Sequence, residues 1–423
     1  MSGLRRSISR RRFLAAGAAA GVGLAIDHVA GGPPGSAFAA GAAQNDAGSD
    51  ALAEGLQTRI PFEGAHQAGV LTPSQAHAVF ASFDAITESR AELAKAIESL
   101  SVRARRLTAG YAALIGAPDG EGPTPDSGIL GTQPPPDALT VTVGFGASLF
   151  DDRFGLARRK PKGLTPMRTF PDDALVPGEC HGDLMLQLRA NTEETLLNAL
   201  RDLMRETRGV LALRWKIEGY QTAKREQGAS RNLLGFKDGT ANPDTTDDDL
   251  MRELVWTGDD QPRWAQGGTF QVVRIIRNRV EFWDRVARNE QELMIGRDKV
   301  IGAPLGKPRE LDDPDYPTDA KGDRIPLDAH IRLARPRTKA TESERILRRG
   351  YNYSRGVDQS GQLDMGLVFA AFNRNIQRQF EAVQTRLNGE PLIDYVKPTG
   401  GGYFFVPPGA QDPDDWVGSG LFA

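Results

Sequence analysis

The sequence predicts an α+β protein built from two ferredoxin-like halves, and three observations carry that expectation. In the first half, Leu184, Leu186 and Leu188 alternate as a strand, Leu196, Leu200, Leu203 and Met204 stripe a helix, and Leu211, Leu213, Trp215 and Ile217 alternate as a second strand. Near the C-terminus, strand-like Gly366 to Ala371 leads into a helix striped by Phe372, Ile376, Phe380, Val383 and Leu387. Asn388-Gly389 stops that helix, and Tyr403 to Val406 follows as a strand. The third observation is size: 423 residues, 39% hydrophobic and 25% charged, are enough for two ordinary domains. A β-α-β pattern in each half points to a duplicated sandwich.

In chain order, Ser9-Arg10-Arg11-Arg12-Phe13-Leu14 stands before a mildly apolar Ala/Gly-rich segment that ends at Ala37-Phe38-Ala39. A twin-arginine pair, a weak apolar core and a small-x-small cleavage site read together as a Tat export signal over residues 1–39. A retained signal anchor is the alternative. The destination would be the periplasm or the extracellular space. Residues 40–57, mostly Ala, Gly, Asp and Gln without periodicity, read as a flexible linker. An N-terminal domain over 58–225 and a C-terminal domain over 226–423 follow. Thr72-Pro73-Ser74-Gln75 has the pattern of a helix start. The stripe Val79, Phe83, Ile86, Leu93, Ile97 and Leu100 then predicts one long amphipathic helix. Residues 116–138, rich in Gly and Pro, read as a loop, and Leu139, Val141, Val143 and Phe145 as a half-buried strand. Asn191 and Glu194 form the capping pair expected before the next helix.

Loss of residues 1–39 removes five arginines and one acid, leaving 47 basic against 54 acidic residues, which argues against a nucleic-acid partner. The one cysteine, Cys180, excludes an intramolecular disulfide framework and reads as a small buried residue. Of the five histidines, His28 leaves with the signal and His77 lies on the expected helix. His66, His181 and His330 remain. The acidic runs Asp247-Asp248-Asp249 and Asp312-Asp313-Pro314-Asp315 lack the ligand spacing of a calcium loop and read as solvated charges at loops or helix starts.

The most telling stretch is Gly235-Phe236-Lys237-Asp238-Gly239-Thr240-Ala241-Asn242-Pro243, in which an acid is held between glycines. Glycine tolerates close approach and unusual backbone angles, so such a loop can lie flat against a planar ligand. Asp-Gly is also a common turn. Other segments add specificity: Gly64-Ala65-His66-Gln67-Ala68-Gly69, Cys180-His181-Gly182-Asp183, Asp328-Ala329-His330-Ile331-Arg332-Leu333-Ala334-Arg335-Pro336-Arg337, Leu347-Arg348-Arg349-Gly350-Tyr351, and Gly361-Gln362-Leu363-Asp364-Met365-Gly366. In this order the motifs resemble the dye-decolourising peroxidase family from about Pro61 to Phe405. Within it they are most similar to the exported deferrochelatase/peroxidase branch of the Efe iron-uptake system. One departure is visible: that branch usually reads Ala-Asn-Pro-Arg where this chain has Ala334-Arg335-Pro336-Arg337.

The resemblance implies duplicated ferredoxin-like domains of the dimeric α+β barrel type, with haem b in the second. It implies His330 as the iron ligand, its other ring nitrogen fixed by an acceptor for which Asp364 is the candidate. By the same resemblance Asp238 is the acid/base group at the peroxide step and Arg348 the cation that favours O–O heterolysis. Lys237, Gly239, Arg335, Pro336 and Arg337 are expected at haem edges or propionates. An unperturbed aspartate titrates near ~3.9, so an acidic optimum is expected. Trp215, Trp256, Trp264, Trp283, Tyr351, Tyr353 and Tyr403 read first as core, and secondly as relays to bulky donors. The implied partners are haem, hydrogen peroxide, an organic electron donor and components of an iron-permease system; a homodimer is left open. A plain dye or phenol peroxidase and a non-catalytic haem carrier are the rival readings.

Overall fold

The computed structural model describes residues 54–113, 124–223 and 225–423. The export signal and residues 40–53 of the expected linker lie outside the described residues. Residues 54–57 form a helical turn whose Gly55 carbonyl accepts from Asn191 Nδ2 at 3.1 Å and whose Leu56 carbonyl accepts from the Asp137 amide at 2.7 Å.

The first half contains β1 (His77–Ala85), α1 (Arg90–Ala109), β2 (Thr140–Gly146), β3 (Leu184–Ala190), α2 (Glu193–Glu206) and β4 (Leu211–Tyr220). The single long helix expected from residue 72 onward is therefore a strand followed by a helix. Every position from Ala78 to Phe83 is apolar or small, because β1 is buried on both faces. Val79, Ala81, Phe83 and Ala85 join the core beneath the helices, whereas Ala78 and Phe80 join the cluster on the opposite face. Period two is thus invisible, and Val79, Phe83 and Ile86 fall at helical spacing by coincidence. The real helix start is Ser89, whose side chain accepts from the Glu92 amide. Gln75 donates to the Ala138 carbonyl at 2.9 Å and caps nothing. The capping pair also moves: Thr192 is the residue before α2, and its hydroxyl donates to Asp137 at 2.6 Å.

The second half contains α3 (Asp248–Leu254), β5 (Thr269–Asn278), α4 (Arg288–Ile295), α5 (His330–Ala334), β6 (Leu347–Arg348), β7 (Tyr351–Val357), β8 (Leu363–Asn373), α6 (Ala382–Leu387) and β9 (Val396–Val406). Phe372 lies in β8 and not in the following helix, which begins as a wider π-type turn over Gln377–Glu381.

All pairings are antiparallel. The order is β4-β1-β3-β2 in the first half and β7-β8-β5-β9 in the second, the same ferredoxin-like order twice. β2 pairs with β9 and β4 with β7, so the eight strands close on themselves; β6 lies beside the end of β8. Inside the ring pack Phe80, Met185, Trp215, Ile217, Val273, Tyr351, Tyr353 and Phe404. The outer face of β5 and β8, under α5 and α6, is left for a cavity.

Candidate active site

A cavity of about 290 Å³ opens against that outer face, lined by Ile276 of β5, Leu367 and Phe369 of β8, His330 of α5, Leu387 of α6, Arg348 of β6 and the loop Lys237–Ala241. The loop is shaped by its own backbone bonds. Asn232 Oδ1 accepts from the amides of Leu234 and Phe236 at 3.1 and 3.2 Å, and the Asp238 amide donates to the Ser230 carbonyl at 2.9 Å. Gly235 and Gly239 have φ of 84° and 94°, which side chains resist, and a Cβ on Gly235 would lie 2.8 Å from the Lys299 chain. The result aims Asp238 at Arg348, with Oδ1 accepting from Nη1 at 2.8 Å.

His330, the first residue of α5, lines the same cavity. Its Nδ1–H donates to Glu390 Oε2 at 2.8 Å, which leaves Nε2 as the nitrogen for a ligand. α6 steadies this helix: Arg386 donates to the carbonyls of Leu333 at 2.9 Å and Ala334 at 3.4 Å, the C-terminal groups that α5 leaves open. Asp364, one candidate acceptor where the sequence identified none, bonds Tyr353 Oη at 3.1 Å and Arg355 Nε at 2.8 Å. Glu390 takes its place because the turn after α6 returns the chain to α5.

A third wall is cationic. Arg297, Arg335, Arg337 and Arg345 line it; Pro336 does not. Arg337 pairs with Asp313, and Glu342 is shared by Arg335 at 3.2 Å and Arg345 at 3.8 Å. Among the described residues the Arg297 side chain binds the carbonyls of Gly302 and Glu310 and no carboxylate. Two guanidinium charges on this wall therefore lack a carboxylate of their own. Lys237 lines the cavity too, but its ammonium is committed to Glu310 at 2.8 Å and the Gln227 carbonyl at 2.8 Å.

Burial alone would raise the pKa of Asp238, but the charge of Arg348, then that of His330, and hydrogen bonds from Asn232 and the Gly239 amide hold it below the ordinary carboxylate value. The 30% of its side chain that is accessible opens on the cavity it lines. At His330 burial disfavours the charged ring, and Glu390 outweighs burial, so the pKa lies above the ordinary histidine value. The arrangement offers an imidazole nitrogen, an ionised carboxylate with a fixed cation, and a wall for an anionic edge.

Two family models cover most of the chain: "Dyp-type peroxidase, N-terminal" over residues 67–221 and "Dyp-type peroxidase, C-terminal" over 229–411. The chain belongs to the Dyp-type peroxidase family. Deferrochelatases of Escherichia coli are 51% identical to it over 367 residues, 85% of this chain and 86% of theirs. The Dyp-type peroxidase from Cellulomonas bogoriensis is 35% identical, with a TM-score of 0.77 over 87% of this chain and 99% of that one. DtpA from Streptomyces lividans, solved as an X-ray generated oxyferrous complex, is 32% identical, with a TM-score of 0.79 over 88% of this chain and 100% of that one.

In this Dyp-type peroxidase the remaining motif residues serve the backbone. His66 stacks on Trp256 with centroids 3.6 Å apart, and its Nδ1–H donates to the Gly267 carbonyl at 2.7 Å. His181, at φ 62°, offers its carbonyl to Ser82 Oγ and Trp215 Nε1. His77 lies on β1, and its Nδ1 is 3.3 Å from Glu193. Cys180 is buried, and burial pushes its thiol pKa up, as befits an inert packing residue. Asp247 caps α3 by accepting from the Leu250 amide. Among the described residues no helix is long and apolar enough to cross a membrane, and no three His, Cys, Asp or Glu side chains gather to hold a metal. Sequence reasoning missed Glu390, Asn242, Arg297 and Arg345. Glu390, Arg297 and Arg345 stand outside the quoted motifs, and Asn242 lies in one without its role being readable there; Glu390 and Asn242 act through partners distant in the chain, His330 and Arg348.

Proposed function

We propose that this chain is an exported haem b peroxidase that also acts as a deferrochelatase, releasing iron from haem and leaving protoporphyrin whole. The observation that carries the reading is one cavity holding a carboxylate-backed histidine together with the Asp238–Arg348 pair. Membership of the Dyp-type family and 51% identity to deferrochelatases support the activity. The residues present fit haem: the cavity is largely apolar between His330 and Asp238, and its wall carries two guanidinium charges in excess, the number of propionates on the cofactor. The domain boundary is assigned to the stretch between β4 and the Gly235 loop, near residue 225.

His330 Nε2 would hold the iron, with Glu390 fixing the tautomer and enriching the ring as donor. Arg297, Arg335, Arg337 and Arg345 would receive the propionates; Gly239 would let the loop approach the ring. Bound haem supplies the redox equivalents taken up by peroxide. Asp238, ionised below the ordinary carboxylate range, accepts the proton from the near oxygen of peroxide and returns it to the far oxygen, which leaves as water. Arg348 stabilises the charge that builds on the departing oxygen. Its side chain is paired with that of Asp238 in the cavity both line, and peroxide could be reached by both groups only with that pair open.

For iron release, protons must replace the metal on the pyrrole nitrogens while His330 lets it go, and a reductant weakens the hold on iron. Steady-state peroxide turnover by the haem-loaded protein tests the peroxidase reading. Sustained oxidation of an organic donor supports it, and haem binding without turnover would leave a carrier.

A further inference from the structure

Arg348 lies on β6, which pairs on one side with Phe372 and Ala371 of β8. Its own amide and carbonyl go elsewhere. The Arg348 N–H donates to Asn242 Oδ1 at 3.1 Å, and the Arg348 carbonyl accepts from Asn242 Nδ2 at 3.0 Å. A single carboxamide thus stands in for a further strand along this edge. The orientation of the amide is fixed, because one bond needs an acceptor and the other a donor.

Asn242 ends the turn that carries Asp238. Its amide donates to the Gly239 carbonyl at 3.1 Å, with Gly239 at φ 94°, and Pro243 follows. The side chain therefore ties the loop of Asp238 to the strand of Arg348, segments more than a hundred residues apart. The direct bond between the two catalytic side chains would have to open for peroxide to engage both. The two bonds of Asn242 are made to the backbone of Arg348 and use none of the paired side-chain atoms.

We propose that Asn242 is a positioning residue for the peroxide step: it latches Arg348 to the Asp238 loop so that Arg348 keeps its reach when the ion pair parts. The inference rests on the roles given above to Asp238 and Arg348. It assigns Asn242 no contact with peroxide or haem.

Asn242 must supply one donor and one acceptor at fixed spacing. Alanine removes both bonds, and aspartate keeps the shape and the acceptor for the Arg348 amide but loses the donor to its carbonyl. A displacement near 1 Å at a catalytic group costs roughly 10²-fold in rate. Haem-loaded Asn242→Ala should keep the resting absorption spectrum and its haem, because His330 and the cationic wall are untouched, while the second-order rate with hydrogen peroxide in stopped flow falls on that scale. The KM for an organic donor should stay within twofold.

The decisive comparison is a double-variant cycle with Arg348→Leu. If Asn242 acts through Arg348, Asn242→Ala with Arg348→Leu reacts no more than twofold slower than Arg348→Leu alone. A multiplied penalty in the double variant would mean that Asn242 acts by another route and overturns the inference. So would a peroxide rate within twofold of wild type in Asn242→Ala. Asn242→Asp is measured alongside and decides the matter if the alanine variant fails to load haem: slowing with a native spectrum supports the latch, and a wild-type rate overturns it. If Arg348→Leu itself reacts at the wild-type rate, the fault lies with the assigned role of Arg348 and the latch falls with it. Slowing in Arg348→Leu with none in the Asn242 variants sinks the latch alone.

Discussion

At the scale of single residues the proposed chemistry rests on His330, Glu390, Asp238 and Arg348. Replacing His330 by Ala should abolish stable haem binding or convert the spectrum to that of an unligated haem; an unaltered Soret band would remove His330 as the ligand. Asp238→Asn and Arg348→Leu should keep haem and slow the peroxide step, which stopped-flow mixing reads directly. The pH dependence has a definite sign. Asp238 has its pKa held below the ordinary carboxylate value, so the step should persist in acid and fail only as pH falls through that lowered value. Because Arg348 is the largest of the lowering influences, Arg348→Leu should move the acid limb to higher pH, and a limb left in place would contradict the assignment. His330, Asp238 and Arg348 line one cavity, and each could be singled out in the sequence because it sits in a motif. Glu390 could not, since the bond to His330 is made across sixty residues of chain.

The elements explain which parts of the fold could be read. α2 and β4 carry strong periodic patterns, because α2 has one wet face and β4 alternates buried with exposed positions, and β3, though buried throughout, alternates because its leucines join the helix-side core while Met185, Gln187 and Arg189 fall between them. β1 shows no such alternation: both its faces are covered, by the helix-side core and by the interior of the ring. Its alanines are apolar on either face, so no period remains. Phe80 marks the buried interior face and is wholly inaccessible. Phe80→Ala should destabilise the protein by ~3–5 kcal/mol, seen as a lower urea midpoint with unchanged slope. A midpoint unmoved would mean that β1 is not the packed central strand described. By contrast α5 is only five residues long and depends on Arg386 of α6 for its C-terminal carbonyls, which is why the site cannot be built from local propensity.

For the whole molecule, the repeated strand order was foreseeable from two β-α-β patterns, whereas closure of the eight strands through β2–β9 and β4–β7 rests on only three paired positions and leaves no sequence signal. The proposed export would be carried by Arg10-Arg11 and the Ala37-Phe38-Ala39 site. Changing both arginines to lysine should trap the precursor inside the cell, and normal export of that variant, or a mature N-terminus that still includes residues 1–39, would overturn the localisation. The central claim concerns iron. It is tested most directly by incubating the protein with haem under reducing, mildly acidic conditions while following porphyrin fluorescence and a ferrous chelator together. The account predicts metal-free protoporphyrin and chelated iron in equal amounts, lost together in His330→Ala. Ring-opened products, or robust dye oxidation with neither free protoporphyrin nor released iron, would contradict it.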